Sequence, residues 1–222
     1  MLLIDKRAQA SNPGRMRVNR LRVIRFHLWA FIPLGVGLAL LAIGLYFRIF
    51  TLAGIGFALG VIITALMIRS CLARFQIGCI CPGKVISIDP ILVATSSDMS
   101  TGTSGNEYII VAIDQINPAA FPFPPSIGDL CPACALYAGF LSRPAWEQFH
   151  PEPVWIATSE LSVVDAIADR MHDADWDQLQ HALKKVVNPM QPGRYRVDIS
   201  EHTGGNNGWA PEQLLSTYKH PI

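Results

Sequence analysis

Apolar positions fall into two regimes along the chain. Residues 28–47 are twenty positions without a charge, and a second uncharged run, 50–68, follows after only Arg48 and Ile49. At 1.5 Å per residue the first run covers about 30 Å as a helix, the thickness of a hydrocarbon core. Two such spans joined so closely predict an antiparallel transmembrane hairpin over residues 28–68, because lipid offers no partner for unpaired backbone. Trp29 at one end and Tyr46 and Phe47 at the other suit the interfacial aromatic belts. A signal peptide does not fit, since the apolar core is too long and a second span follows at once.

Beyond Arg74 the pattern changes to short apolar runs punctuated by Gly, Pro and Asp. Runs at 84–88, 91–95 and 108–113 read as strands, with Asp89-Pro90 as a turn and a polar Ser-, Gly- and Asn-rich link over 96–106. The unbroken apolar run 108–113 is expected of a strand covered on both faces. Residues 117–125 are rich in proline and read as an irregular extended segment, and further strands are expected at 135–137, 154–158 and 194–199. Two amphipathic helices lie between. Leu161, Val164, Ile167, Ala168 and Met171 form one stripe, with Ser159 as its N-cap; Trp176, Leu179, Leu183 and Val186 form the other. The fold class expected is therefore α+β: a two-helix transmembrane hairpin followed by a small, mostly antiparallel sheet or partial barrel capped by an αα-hairpin. The divisions are a basic arm (1–27), the hairpin (28–68), an α+β domain (75–198) and a loose tail (199–222) containing the glycine cluster 204–208.

Charge adds an orientation. The formal net charge is only +1, but residues 1–83 hold ten of the 18 Lys and Arg and one of the 17 Asp and Glu. The basic residues flank the spans on one side, with Arg48 alone in the connecting turn, so both termini are expected in the cytoplasm. Arg15, Arg17, Arg20, Arg22 and Arg25 are candidates for contact with anionic lipid headgroups, at about 1 kcal/mol each near the surface. Nucleic acid is not an expected partner, since the arm has only Phe26 for base stacking. Gly37, Gly44, Gly56 and Gly60 mark a small-residue packing face, either within the hairpin or between two copies in a homo-oligomer; the tethered neighbour favours the former.

The stretch 83–196 carries Asp89-Pro90 with Leu92 and Ala94, then Gly128-Asp129 followed by Pro132 and Ala135-Leu136-Tyr137. Trp146, Phe149, Pro151-x-Pro153, Trp176 and Gly193-x-Tyr195 follow. In these residues it resembles an uncharacterised bacterial family, domain of unknown function 3239, which occurs behind membrane helices. The resemblance implies no activity, because the family has none assigned.

Candidate chemistry is sparse. Cys79-x-Cys81 and Cys131-x-x-Cys134 give four thiols in two pairs, which would suit tetrahedral zinc if the two segments lay side by side. Cys131-Pro-Ala-Cys134 has redox spelling but is followed by a strand pattern rather than the helix N-terminus that stabilises a thiolate. Cys71 reads as a free juxtamembrane thiol, Glu147-x-x-His150 as a surface turn, and the aspartates between 165 and 177 as a solvated helix face. No phosphate-binding loop, dinucleotide fingerprint or nucleophile elbow is present. The expected function is a membrane-anchored binding or scaffold module with a protein partner. The alternative is a zinc- or thiol-based sensor or enzyme using the paired cysteines.

Overall fold

The computed structural model describes residues 14–99, 108–138 and 146–198. The tail 199–222, the link over 100–107 and residues 1–13 lie outside these, and with them the glycine cluster 204–208. The chain opens with a short helix, α1 (Arg20–Phe26), whose Asn19 side chain accepts from the Arg22 amide as an N-cap. A 3₁₀ turn (Leu28–Phe31) leads into α2 (Ile32–Tyr46), with Pro33 in its first turn. The chain reverses within three residues. Arg48 takes φ 61°, the left-handed conformation that ends a helix, and the Ile49 amide returns to the Gly44 carbonyl at 2.6 Å.

Helix α3 (Phe50–Ile77) then runs back beside α2. It extends nine residues past the predicted end of the second span at 68, because residues 69–77 leave the hairpin and enter the soluble core. Cys71 and Phe75 there are buried, while Arg69 is exposed. Leu28–Tyr46 and Phe50–Ile77 are both long and apolar enough to cross a membrane, yet each is only 17% buried over its apolar window. A core helix of a soluble protein would be mostly covered. Here Val36, Leu38, Ile43, Ile55, Leu59, Ile62 and Leu66 all face outward. That apolar exterior makes this a membrane-associated protein.

The rest of the described chain is built on two antiparallel sheets. β1 (Cys79–Cys81), β5 (Ala133–Ala138) and β6 (Gln148–Pro153) form one, in the order β1-β5-β6. β2 (Gly83–Ile88), β3 (Ile91–Asp98), β4 (Tyr108–Gln115) and β7 (Gly193–Asp198) form the other, in the order β2-β3-β4-β7. Residues 128–131 run along β2 before entering β5, so one segment stitches the sheets together. Cys131 N bonds Gly83 O at 2.7 Å, and Val85 exchanges bonds with Asp129 and Gly128. This crossing requires glycine at 83, where a Cβ would lie 2.1 Å from the Cys131 carbonyl oxygen. The result is the expected α+β arrangement.

β4 is covered on both faces, as its apolar run predicts. Ile109, Val111 and Ile113 meet the second helix pair member, whereas Ile110 and Ala112 pack towards Cys81, Ala135 and Phe149 of the other sheet. Helix α4 (Leu161–Ala168) buries Val164 and Ile167 in the cluster that also holds Phe75, Val85 and Trp155. Helix α5 (Asp173–Lys185) starts on that same cluster through Trp176 and ends on β3 and β4 through Ala182 and Leu183. Its N-terminus is held by a capping box, with the His172 amide donating to Asp175.

Three local expectations are corrected. Residues 154–158 form a 3₁₀ turn (Val154–Ile156) rather than a strand, and the strand lies just before, at β6. Pro151 and Pro153 are spaced by two, so both missing N–H groups fall on the free edge of the sheet, where proline is tolerated. His150 accordingly sits on β6, not in a turn. Position Glu160, not Ser159, precedes α4, and Thr158 Oγ1 accepts from its amide instead.

Candidate functional site

The hairpin is closed by its glycines. A Cβ on Gly37 would lie 3.0 Å from Gly56 O, one on Gly44 2.7 Å from Ala53 Cβ, one on Gly56 2.8 Å from Leu40 Cβ, and one on Gly60 2.6 Å from Pro33 O. All four therefore face the partner helix of the same chain. Gly35 and Gly54 have nothing within 4 Å and point outward. Close approach of this kind maximises dispersion contact where lipid provides no hydrophobic drive.

The basic arm is not a free membrane tether over its described part. Gly14 N bonds Gly78 O at 2.7 Å and Asn19 N bonds Ala157 O at 2.8 Å. Val23 is buried in the same cluster as Phe75 and Trp155, with Met16, Val18 and Phe26 packed against it. Arg22 is a correction to the set of lipid-contact residues. Its Nε donates to Trp155 O at 2.8 Å and its Nη2 to Ala120 O at 2.6 Å, so its guanidinium faces the domain. The proline-rich segment 117–125 is thereby pinned, and Phe123 stacks edge-on against Trp155 at 5.4 Å. Arg15, Arg17, Arg20 and Arg25 remain exposed.

At the foot of the hairpin lies a charged cluster that periodicity did not reveal. Glu152 Oε1 is paired with Arg74 Nη1 and lies 3.1 Å from His27 Nε2. The other ring nitrogen of His27 lies 2.8 Å from Val23 O. His27 ends α1, Arg74 belongs to α3 and Glu152 to edge strand β6, so three elements distant in sequence meet on one carboxylate. Burial, and secondarily the Arg74 charge, lower the His27 pKa from its ordinary value, against the opposing pull of the Val23 carbonyl. The sequence offered only a lone histidine before an apolar run, an arginine after one, and a glutamate between two prolines.

The four paired cysteines do not converge, and the reason is register. Cys79 pairs with Ala135 and Cys81 with Ala133, so Cys134 stands opposite Ile80 and shares its face of the sheet. Cys131 and Cys134 point into the cluster around Phe75, while Cys79 and Cys81 sit with Met99 and Phe149 on the other face. Among the described residues no group of three or more His, Cys, Asp or Glu is placed to hold a metal ion. The donors therefore do not fit tetrahedral zinc. Cys131 and Cys134 are pushed up to about 12, chiefly by burial, which opposes thiolate chemistry. The free thiol of Cys81 is raised as well, by its hydrogen bond with Cys79 and by burial, and its Sγ lies 3.4 Å from Tyr137 Oη. That phenol is also 2.5 Å from Ser97 Oγ and is held neutral, first by burial and then by the neighbouring thiols.

No family model matches the chain, so membership in the family it resembles is not established, and no curated protein matches it. A solved structure, "Crystal structure of a putative membrane protein from Corynebacterium diphtheriae", is similar at 19% identity over 53% of this chain and 99% of that one, with a TM-score of 0.44. A likeness of that depth assigns neither activity nor partner.

Proposed function

We propose that the protein is a binding or scaffold module anchored in a bacterial inner membrane, with both termini cytoplasmic and a protein partner engaged by its α+β domain. The observation that carries this reading is the shared core of anchor and domain. Val23 before the first span and Cys71 and Phe75 after the second are buried with Val85, Val164 and Ile167. A domain fused in this way stands at a fixed height and angle over the bilayer, which suits presentation of a surface. The exposed Arg15, Arg17, Arg20 and Arg25 lie on the arm that precedes the first span and are assigned to anionic headgroups. The likeness to domain of unknown function 3239 agrees with a domain set behind membrane helices. Because the glycine faces are occupied within the hairpin, any homo-oligomer has to use other surfaces.

Thiol labelling in intact cells tests the orientation. A Tyr46→Cys variant, at the end of α2 beside the turn, should react with a membrane-impermeant maleimide, while Asp169→Cys on the domain should not. The reverse pattern would overturn the orientation. Photo-crosslinking from Asp169 in membranes should trap a discrete protein; adducts with lipid or with the chain itself alone would sink the scaffold reading.

A further inference from the structure

Arg74 and His27 compete for one oxygen. Both bond Glu152 Oε1, while Glu152 Oε2 and Arg74 Nε are buried with no partner among the described residues. His27 is 6% exposed, with the Trp29 ring tilted over it at 6.0 Å. The ionisable groups around the cluster come from every element packed there. They are Arg22 and Arg25 on α1, Arg74 and Cys71 on α3, Cys134 on β5, Glu152 and His150 on β6, and Arg170 after α4. Among the described residues Glu152 is the one carboxylate bonded to His27 and Arg74. A neutral imidazole carries a single N–H, so the ring can donate to Val23 O or to Glu152 Oε1 but not to both, and Arg74 remains the donor to Glu152 Oε1 in either case. A charged ring would serve both, yet it sets a second buried cation beside Arg74 on a carboxylate already taken.

We infer that this cluster is a proton-responsive clasp between the membrane hairpin and the soluble domain. With His27 neutral, the two domain-side ends of the hairpin stay closed on Glu152. Uptake of one proton from water by the ring sets it against Arg74 and loosens α1 from β6. This goes beyond the scaffold reading and holds whatever partner the domain takes. Burial of the ring, with the Arg74 cation beside it, fixes the sign. A base whose folded pKa lies below its unfolded value of 6.5 contributes stability that is present above 6.5 and is lost as pH falls through the folded value.

The test uses the full chain in lipid nanodiscs. Amide protection of Arg20–Phe26, corrected for intrinsic exchange, should fall as pH drops from 7.5 to 5. The loss should be about tenfold for each pH unit between 6.5 and the folded pKa of His27. His27→Gln keeps a donor to Glu152 but cannot take the proton, so its protection should stay level over that range. Glu152→Gln removes the shared anion, so α1 should already be loose at pH 7.5. A wild type without the loss, or an equal loss in His27→Gln, would overturn the clasp. Should the variants fail to fold, the ring's own NMR titration in the unaltered chain decides. Titration below 6.5 in step with α1 loosening supports the clasp, and titration above 6.5 or out of step refutes it.

Discussion

At Gly60 the first carbon of any side chain would lie 2.6 Å from the Pro33 carbonyl oxygen, a backbone atom that cannot step aside. Gly60→Leu should therefore force the hairpin apart and cost about 1–3 kcal/mol, whereas Gly54→Ala, with nothing within 4 Å, should be neutral or slightly stabilising. Steric-trap or denaturant unfolding in detergent measures both. Equal losses would mean that the helices do not meet on the face described. Arg22 provides a second contrast. Its two bonds to Trp155 O and Ala120 O join a charged donor to half-buried carbonyls, so Arg22→Ala should cost about 1.5–3 kcal/mol. Arg25, exposed on the same helix, should be dispensable for stability. The two arginines are indistinguishable in sequence; only the fold gives one of them a pair of carbonyls.

At the level of the element, the β1–β5 register decides the fate of the cysteines. A shift of one residue would move Cys134 to the face of Cys79 and Cys81 and make a three-thiol site; the observed pairing of Cys134 with Ile80 forbids it. Purified protein should accordingly contain no stoichiometric zinc by elemental analysis, and a zinc-to-protein ratio near one would contradict this register. The same burial has an alkaline signature. Cys131 and Cys134 hold their protons to about 12 when folded and lose them from about 9.0 when unfolded. Their contribution to stability is thus present below pH 9 and declines as pH rises above it. Replacing both by alanine should flatten the fall in thermal midpoint between pH 8.5 and 10.5. An unchanged slope would count against the burial. Helix α3 shows the complementary effect, since hydropathy marks where lipid contact ends but not where the helix does. Residues 69–77 are polar enough to leave the membrane pattern, yet they stay helical because Cys71 and Phe75 have a core to enter.

For the whole molecule, anchor and domain share one hydrophobic core. Val23, Cys71 and Phe75 supply buried apolar surface to the cluster around Trp155, and burying a side chain such as Val or Phe is worth about 1.5–3 kcal/mol each. Domains are stable by only about 5–15 kcal/mol in total, so residues 79–198 expressed alone should be loosened or unfolded. Their near-UV circular dichroism should be weak and trypsin should cut them quickly, compared with the full chain in detergent. A native-like, protease-resistant fragment would show that the domain is self-sufficient and that the coupling through α1 and α3 is incidental. The charge division has a related reading. The basic excess of the first 83 residues and the acidic excess of the remainder are joined across the fold by the Arg74–Glu152 pair, one partner from each section.

Two apolar runs of membrane length, the strands β2, β3, β4, β5 and β7, and the two helical stripes were legible from residue order, because each depends on local periodicity and on the thickness of a bilayer. The three-residue β1 and the proline-bearing edge strand β6 were not. The packing glycines were legible too, since a hairpin turn of three residues leaves the second helix nowhere else to lie. Tertiary structure alone decided the rest. The separation of the cysteine pairs depends on a strand register, the recruitment of Arg22 on a carbonyl more than a hundred residues away, and the meeting of His27, Arg74 and Glu152 on how three distant segments cross. Such contacts have no local period, and a sequence read along its length cannot announce them.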